Sequence, residues 1–182
     1  MKTRKLGGTD LSLTTVGIGT WPMAGVGGGG WGPQDGKDSI VSIRRGLERG
    51  INWIDTAPNY GKGHSEEVVG KAIKGMSPRP IIATKCGIMW KPNGKPYMRL
   101  DRERVRIQCE NSLKRLDLNS IDMYMTQWPR PQEYEVTSAI TGPRASSEIE
   151  DTIKAAEWEL TKEDITAMDR LLKRRQESLS SK

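Results

Sequence analysis

Hydrophobic residues follow two spacings along the chain, and the two spacings alternate. Short apolar runs at residues 16–20, 51–55, 81–85 and 121–125 predict four buried strands. Between the runs, apolar residues recur every three or four positions, which is typical of helices packed on a core. The helical stripes are Ile40, Ile43 and Leu47; Val68, Val69, Ala72 and Ile73; and Val105, Cys109, Leu113 and Leu116. Strict alternation of strand and helix favours a parallel sheet or barrel.

The two ends of the chain follow a different rhythm. Residues 4–16 hold two short extended pieces around Gly7-Gly8-Thr9-Asp10, which predicts a hairpin. Residues 136–140 predict a fifth strand, followed by a turn at 141–144 and a helix capped by Ser146 or Ser147. Residues 161–164 resemble a capping box that begins the last helix. Ser65 and Asp101 are the expected caps of the second and third helices.

The composition fits one domain that needs no membrane and no metal. The chain has 182 residues with 35% hydrophobic, no Phe, six Trp and eight Met. No apolar run approaches the ~20 residues that span a bilayer, and the first residues do not resemble a signal peptide. Cys86 and Cys109 lack metal-ligand spacing, so we expect reduced thiols and a cytoplasmic protein.

The net charge of +6 raises the question of a nucleic-acid partner. Basic residues are concentrated on the third predicted helix, but acids alternate with them, which is typical of a solvated face. No nucleic-acid module is recognisable, so we expect no such partner. A dinucleotide fingerprint is also excluded, because Gly17-Ile18-Gly19 is followed by Pro22 where a third glycine should stand. Residues 25–32 form a glycine-rich loop.

Polar side chains stand where three neighbouring strands end: Asp55, Lys85 and Gln127. Tyr60 lies on the loop after Asp55. The carboxyl ends of parallel strands meet at one rim, where catalytic groups collect. A free phenol has a pKa near ~10, so it needs a nearby ammonium to act as an acid at neutral pH, and a buried carboxylate can hold that ammonium. The alternative is a structural one, with Asp55 capping a turn and Tyr60 packed in the core.

The chain resembles the aldo-keto reductases in seven motifs that occur in the family's order and spacing. The resemblance implies a (β/α)8 TIM barrel and NADPH-dependent reduction of an aldehyde or ketone. It makes Tyr60 the proton donor, and Lys85 and Asp55 the pair that tunes it. The motifs are Gly17-Ile18-Gly19-Thr20-Trp21, Trp53-Ile54-Asp55-Thr56-Ala57, Asn59-Tyr60-Gly61, Ser65-Glu66-Glu67, Ala83-Thr84-Lys85, Ser112-Leu113-Lys114-Arg115-Leu116 and Asp122-Met123-Tyr124.

The same resemblance extends to the C-terminal part and implies a binding site for NADPH. Residues 140–144 look like the family's last strand and adenosine-phosphate loop, with Arg144 facing the 2′-phosphate. Glu148 and Thr152 stand where the family usually has Gln and Asn near the adenine. The expected cofactor-binding residues are Gly19, Thr20, Trp21, Asp55, Gly142, Arg144, Glu148 and Thr152.

One catalytic position departs from the family's pattern. Gln127 stands where the family usually has a histidine just before Trp-Pro. An amide can still donate a hydrogen bond to a carbonyl oxygen, but it cannot titrate. The sole histidine, His64, is expected on the surface or a loop and not as a replacement.

The chain is also short for this fold, since such a barrel needs about 250 residues. The motifs correspond to strands 1–4 and 8, so residues 128–135 must lead from the fourth strand to the eighth. Their reach of about 26–29 Å barely equals the straight-line distance of about 26 Å through the core. Either residues are missing between Gln132 and Glu133, which we favour, or a true deletion leaves an open or rearranged sheet.

These patterns predict one domain in space, built from two parts of the chain. Residues 1–132 hold the hairpin, the first half of the barrel and the catalytic residues, and residues 133–182 hold the last strand-helix unit, the NADP-phosphate loop and the C-terminal helix. The expected function is hydride transfer from NADPH to a small carbonyl substrate. The alternative is a non-enzymatic or weakly active NADP-binding protein on the same fold. The oligomeric state stays open.

Overall fold

The computed structural model describes residues 1–25, 36–127, 139–143, 145–155, 161–164, 166–167 and 170. Its strands are β1 (Thr3–Lys5), β2 (Ser12–Thr14), β3 (Val16–Gly19), β4 (Trp53–Asp55), β5 (Ile81–Cys86), β6 (Ile88–Trp90), β7 (Pro96–Met98), β8 (Met123–Thr126) and β9 (Ala139–Thr141). Its helices are α1 (Gly36–Glu48), α2 (His64–Ile73), α3 (Arg102–Leu116) and α4 (Ser146–Ala155). The expected glycine-rich loop falls almost entirely outside these residues.

A five-stranded parallel sheet organises the molecule, in the order β8-β5-β4-β3-β9. The last strand of the chain therefore pairs with β3, as the eighth strand of a barrel pairs with the first. The four remaining strands follow in chain order. This arrangement confirms the expected α/β fold with strands 1–4 and 8, as part of a barrel. The predicted N-terminal hairpin is confirmed as β1 and β2, which pair antiparallel.

Within the described residues the sheet is open, because β8 and β9 lie at opposite edges. The connection between them, residues 128–138, is outside those residues, and so is the junction of Gln132 with Glu133. The sheet therefore has the strands that the motifs predict. The two explanations for the short connection stay predictions.

One face of the sheet packs against the helices. Ile18, Ile54 and Ile82 stand side by side on neighbouring strands and are fully buried. They form a core with residues from α1, α2, α3 and α4, namely Ile43, Val69, Leu116 and Ile149. Side chains two positions along each strand return to the same face. The residues between them, including Asp55 and Lys85, belong to the opposite face.

The helix boundaries correct two expectations. Ser65 does not cap α2: the cap position is Gly63, and the Ser65 hydroxyl donates to the Thr20 carbonyl at 2.9 Å. On α3 the buried residues are Gln108, Ser112 and Leu116, while Leu116 alone belongs to the apolar stripe that predicted the inner face. Gln108 turns inward because its Oε1 accepts a hydrogen bond from the Gly87 amide at 3.0 Å.

Other caps agree with the sequence, and one hairpin was not predicted. Asp101 caps α3 by accepting from the Arg104 amide at 3.1 Å. Thr161 and Asp164 exchange side-chain-to-backbone hydrogen bonds, as a capping box does. Strands β6 and β7 pair antiparallel directly after β5. No helix among the described residues is long and apolar enough to cross a membrane.

Candidate active site

Asp55 ends β4 and is buried at the rim of the sheet, with 5% of its surface exposed. Its backbone carbonyl accepts two hydrogen bonds from Thr20, one from the amide at 3.0 Å and one from the hydroxyl at 3.1 Å. Ser65 in turn donates to the Thr20 carbonyl. These backbone contacts therefore join the end of β3, the end of β4 and the start of α2 at the residue that carries the carboxylate.

Lys85 lies on β5 and points to the same side of the sheet as Asp55. The register pairs Asp55 with Ala83, and Lys85 follows two positions later on the same face. The Lys85 Nζ lies 2.6 Å from the Asp55 Oδ1, 3.0 Å from the Thr56 carbonyl and 3.3 Å from the Tyr60 hydroxyl. The ammonium thus has three oxygen neighbours within hydrogen-bonding distance.

A tight turn brings Tyr60 to the lysine. Gly61, Lys62 and Gly63 have positive φ angles of 63°, 54° and 100°, respectively. A side chain at Gly61 would place its Cβ 2.0 Å from the Ala24 carbonyl oxygen, so only glycine fits there. This run of left-handed residues turns the chain sharply between Tyr60 and α2. The Lys85 Nζ also lies 5.1 Å from the centre of the Tyr60 ring.

Burial and charge act against each other on Asp55. Removal from water raises the pKa of the Asp55 carboxyl, and the nearby Lys85 ammonium partly offsets that rise. The side chains of Lys85 and Asp55 are only 13% and 7% exposed, so solvent screens their attraction poorly. The pair is therefore a partly desolvated ion pair aimed at a phenol.

Gln127 continues the β8 ladder one residue past its end. Its amide donates to the Cys86 carbonyl at 2.8 Å, and β8 is in register with β5 so that Met125 lies beside Lys85. Strand alternation then puts Gln127 on the Lys85 face. Its side-chain Oε1 is buried without a hydrogen-bond partner among the described residues. Gln127 therefore carries a buried acceptor, without a partner among the described residues, directly after β8 at the rim.

The expected cofactor residues divide into two groups. Gly19, Thr20, Trp21 and Gly142 lie together, because β9 pairs with β3 and a Cβ on Gly142 would lie 2.5 Å from the Pro22 ring and 3.6 Å from the Gly19 carbonyl oxygen. Trp21 is 49% exposed, and its ring centre is 6.5 Å from that of Tyr60. The Thr20 hydroxyl is already engaged with Asp55.

The second group belongs to the region of α4. Glu148 lies in the first turn of α4 and is half-buried. Thr152 lies on the same helix, but its side chain is outside what the structure describes, as is all of Arg144. Their places at the cofactor stay predictions. His64 begins α2, is partly buried and has its ring against Gly25. Within the described residues no cluster of His, Cys, Asp or Glu could hold a metal ion.

Two features of the site had no signal in the sequence. The Thr56 carbonyl is the third acceptor for Lys85, and a backbone atom cannot be identified from a residue type. Thr20 holds Asp55 through its amide and hydroxyl, although the motif assigned it to the cofactor. The two residues meet because β3 and β4 pair in parallel register, which places Gly19 beside Asp55.

Fold and site together define a class: a parallel α/β protein with a buried Asp–Lys pair directed at a tyrosine on the carboxyl rim of its sheet. A model of the Aldo/keto reductase family matches residues 15–141, which is most of the chain. The chain therefore belongs to the aldo/keto reductase family, and the expected resemblance is confirmed.

Named relatives cover the same part of the chain. The aldo-keto reductase YhdN of Bacillus subtilis is 44% identical over 133 residues, which is 72% of this chain and 39% of the relative. The NADH-specific methylglyoxal reductase of Escherichia coli is 41% identical over 140 residues, 70% of this chain and 42% of the relative. The chain thus spans about two fifths of the length of these relatives.

Solved structures agree with the fold. The glycerol dehydrogenase AKR11B4 from Gluconobacter oxydans has a TM-score of 0.59 at 30% identity, covering 85% of this chain and 52% of its own. An aldo-keto reductase from Klebsiella pneumoniae in complex with NADPH has a TM-score of 0.50 at 25% identity, covering 87% and 50%. The overlap is with about half of each structure, in keeping with a partial barrel.

Replacement of Lys85 by methionine should leave Asp55 buried without a counter-charge. We expect a loss of about 3–5 kcal/mol in the free energy of unfolding at pH 7. In this variant the pKa of folded Asp55 rises further above its unfolded value of ~3.9. Below ~3.9 the carboxyl is protonated in both states, and its burial does not lower the free energy of unfolding. As pH rises through the folded pKa the buried carboxyl ionises, and that stability is lost. Urea unfolding at pH 4 and pH 7 should show a smaller deficit at pH 4.

The double variant Asp55→Asn, Lys85→Met is the control for that measurement. With no buried charge left, it should regain stability at pH 7 relative to Lys85→Met. A deficit that is equal at both pH values, or unchanged in the double variant, would mean that lost packing and not an orphaned carboxylate explains the effect.

Proposed function

We propose that the protein is an oxidoreductase that transfers hydride from NADPH to an aldehyde or ketone, with Tyr60 as the proton donor. The observation that carries the proposal is the position of Lys85, whose Nζ reaches both the Asp55 Oδ1 at 2.6 Å and the Tyr60 hydroxyl at 3.3 Å. A structural core tyrosine would need no buried ion pair at its hydroxyl. The roles of these residues follow from this geometry and from the family's motif.

The chemistry assigned to the side chains is one proton transfer. Bound NADPH would supply the hydride that adds to the carbonyl carbon. Tyr60 gives its hydroxyl proton to the carbonyl oxygen, which becomes the alcohol. The phenolate left on Tyr60 is stabilised by the Lys85 ammonium, and Asp55 keeps that ammonium in place.

Gln127 completes the site as an orienting residue. Its position on the Lys85 face allows the amide nitrogen to donate to the carbonyl oxygen of the substrate before Tyr60 gives its proton. The buried Oε1 has no partner among the described residues, and as an acceptor it fits a ligand group that carries an N–H or O–H, while the amide nitrogen faces the carbonyl. Compared with the family's usual histidine, Gln127 can still orient the substrate carbonyl, but it cannot titrate.

The described residues fit a dinucleotide. Gly142 follows β9 beside Gly19 and Pro22, and α4 begins four residues later, so a helix N-terminus, which favours anions, follows the last strand of the sheet closely. Arg144 is assigned to the 2′-phosphate by the motif alone. A family structure in complex with NADPH supports a nicotinamide cofactor, whereas the E. coli relative is named as NADH-specific. We propose NADPH because an arginine suits the extra phosphate.

A second candidate is an NADP-binding protein with weak or no turnover. Two observations favour it: Gln127 stands in place of a titrating residue, and the described sheet has five strands. NADPH oxidation with a panel of small aldehydes and ketones separates the two candidates. Binding of NADPH without oxidation by any carbonyl would support the second.

Tyr60→Phe should nearly abolish carbonyl reduction and leave the affinity for NADPH almost unchanged. The phenyl ring keeps the packing beside Trp21 but has no proton to give, so we expect kcat to fall by about 10²–10⁴-fold. The Kd for NADPH, followed by its fluorescence, should change less than twofold. An equal loss of binding and turnover would make Tyr60 a structural residue.

Arg144→Ala should distinguish the two nicotinamide cofactors. Only NADPH carries the 2′-phosphate, so its affinity should fall by about 1.5–3 kcal/mol, the value of a hydrogen bond to a charged group. NADH serves as the control and should bind as before. Equal weakening of both cofactors, measured by fluorescence titration, would contradict the assigned contact.

Gln127→His should change the dependence of the rate on pH. Imidazole has a reference pKa of ~6.5, so the variant should gain an ionisation near that value that the native enzyme lacks. For carbonyls that need stronger acid assistance, kcat should rise by about one to two orders of magnitude. Gln127→Asn, which adds no titrating group, is the control. An unchanged rate and pH profile would mean that Gln127 never contacts the substrate.

A further inference from the structure

A second buried charge lies directly behind the candidate active site. Glu66 is in the first turn of α2, three residues after the last left-handed residue of the Tyr60 turn, and none of its surface is exposed. Neither proton transfer nor cofactor binding uses it. A fully buried carboxylate is costly unless it is paired and hydrogen-bonded, so its partners indicate what the fold gains from it.

Both oxygens of Glu66 have a partner, and the partners come from different elements. The Thr84 hydroxyl donates to Oε1 at 2.7 Å, and Thr84 is the residue before Lys85 on β5. The Arg115 Nε, on α3, lies 2.6 Å from Oε2. A second nitrogen of Arg115 donates to the Ser112 hydroxyl at 3.3 Å. We call Thr84, Glu66, Ser112 and Arg115 the Glu66 network.

Arg115 also packs against the turn that carries Tyr60. A Cβ added to Gly63 would lie 2.5 Å from the Arg115 Cδ and 2.7 Å from its Nε. The arginine side chain therefore fills the space that any larger residue at Gly63 would need. Gly63 is the third residue after Tyr60, so Arg115 lies against the turn that leads from Tyr60 to α2.

We propose that Glu66 and Arg115 are positioning residues that set the distance between the Tyr60 hydroxyl and Lys85. The Glu66 network fixes the Tyr60 turn through Gly63, and it fixes β5 through Thr84, the residue before Lys85. It therefore connects the segments that carry Tyr60 and Lys85. The contact itself is 3.3 Å, near the outer limit of a hydrogen bond. A misplacement of about 1 Å can cost about 10²-fold in rate. The inference rests on the proposed function, in which Tyr60 is the proton donor.

The chain offers a matched control at the other end of β5. Arg79 forms a two-pronged ion pair with Asp122 at 2.5 and 3.0 Å, and the Asp122 carboxylate also accepts from the Ile82 amide at 2.7 Å. Arg79 is 30% exposed and Arg115 is 25% exposed, so the two arginines are similarly buried. Arg79 links β5 to the start of β8, away from the carboxyl rim.

The test compares Arg115→Met with Arg79→Met in the full chain. Arg115→Met should lower kcat by about 10–10²-fold while the Kd for NADPH stays within twofold, because the proton donor moves and the cofactor residues do not. Arg79→Met should lose stability and keep kcat within twofold. A similar fall of kcat in both variants, or kcat within twofold in Arg115→Met, would overturn the proposal.

Arg115→Lys tests the same proposal if Arg115→Met fails to fold. Lysine keeps the positive charge beside Glu66, but one ammonium cannot replace the planar fork that reaches Glu66 and Ser112 together. We expect it to fold and to lower kcat by an amount between those of the native enzyme and Arg115→Met. Native kcat in a folded Arg115→Lys would contradict the role of the fork.

A spectroscopic readout separates this inference from the proposed function. Incorporated 3-fluorotyrosine reports the surroundings of each of the four tyrosines by fluorine NMR, and Tyr60→Phe identifies the Tyr60 resonance. That resonance should shift in Arg115→Lys and stay in place in Arg79→Met. If neither the native protein nor any variant reduces a carbonyl, the proposed function fails. If the Tyr60 resonance does not move in Arg115→Lys, the positioning role is refuted, whatever the activity.

Discussion

The charge pair between Asp55 and Lys85 is the constraint on which the rest of the site depends. Each ion loses several kcal/mol of hydration on burial, and the stability of a whole domain is only about 5–15 kcal/mol. The pair is tolerated because its charges have partners: Thr20 fixes the backbone at the end of β4, and the Thr56 carbonyl and Tyr60 hydroxyl join Asp55 around the Lys85 ammonium. An apolar pair of the same volume would suit the fold at least as well, so this arrangement points to chemistry.

Much of the site could be predicted because parallel sheets obey a simple rule. Residues at the carboxyl ends of neighbouring strands share one rim whatever the helices between them do, so Asp55, Lys85 and Gln127 could be grouped from strand ends alone. The approach of Tyr60 could not be derived in this way. Its turn has three consecutive positive φ angles, one of them at Lys62, and such a conformation is set by contacts with Ala24 and Arg115 that no local pattern shows.

The errors have a common physical origin in polar contacts inside the protein. Apolar spacing located the inner face of α3 only in part: Leu116 is buried, but Val105, Cys109 and Leu113 are half-buried, because Gln108 is drawn inward by the backbone of Gly87. Ser65 has the composition of a helix cap, but its hydroxyl is used by Thr20 and Gly63 takes the cap position. Strands β6 and β7 are three residues each and one begins with proline, so neither shows an alternating pattern. Composition indicates burial and leaves open which polar partner a side chain finds.

The pairing of β3 with β9 has a consequence for synthesis of the chain. Gly17 lies beside Ile140, so these partners are at least 123 residues apart along the polypeptide. At ~5–20 residues per second, a ribosome needs roughly 6–25 s to make the stretch between them. During that time β3 can pair with β4 alone, and its other edge is open to any extended segment in reach. A newly made chain therefore exposes one edge of β3 to other extended segments until β9 has been synthesised.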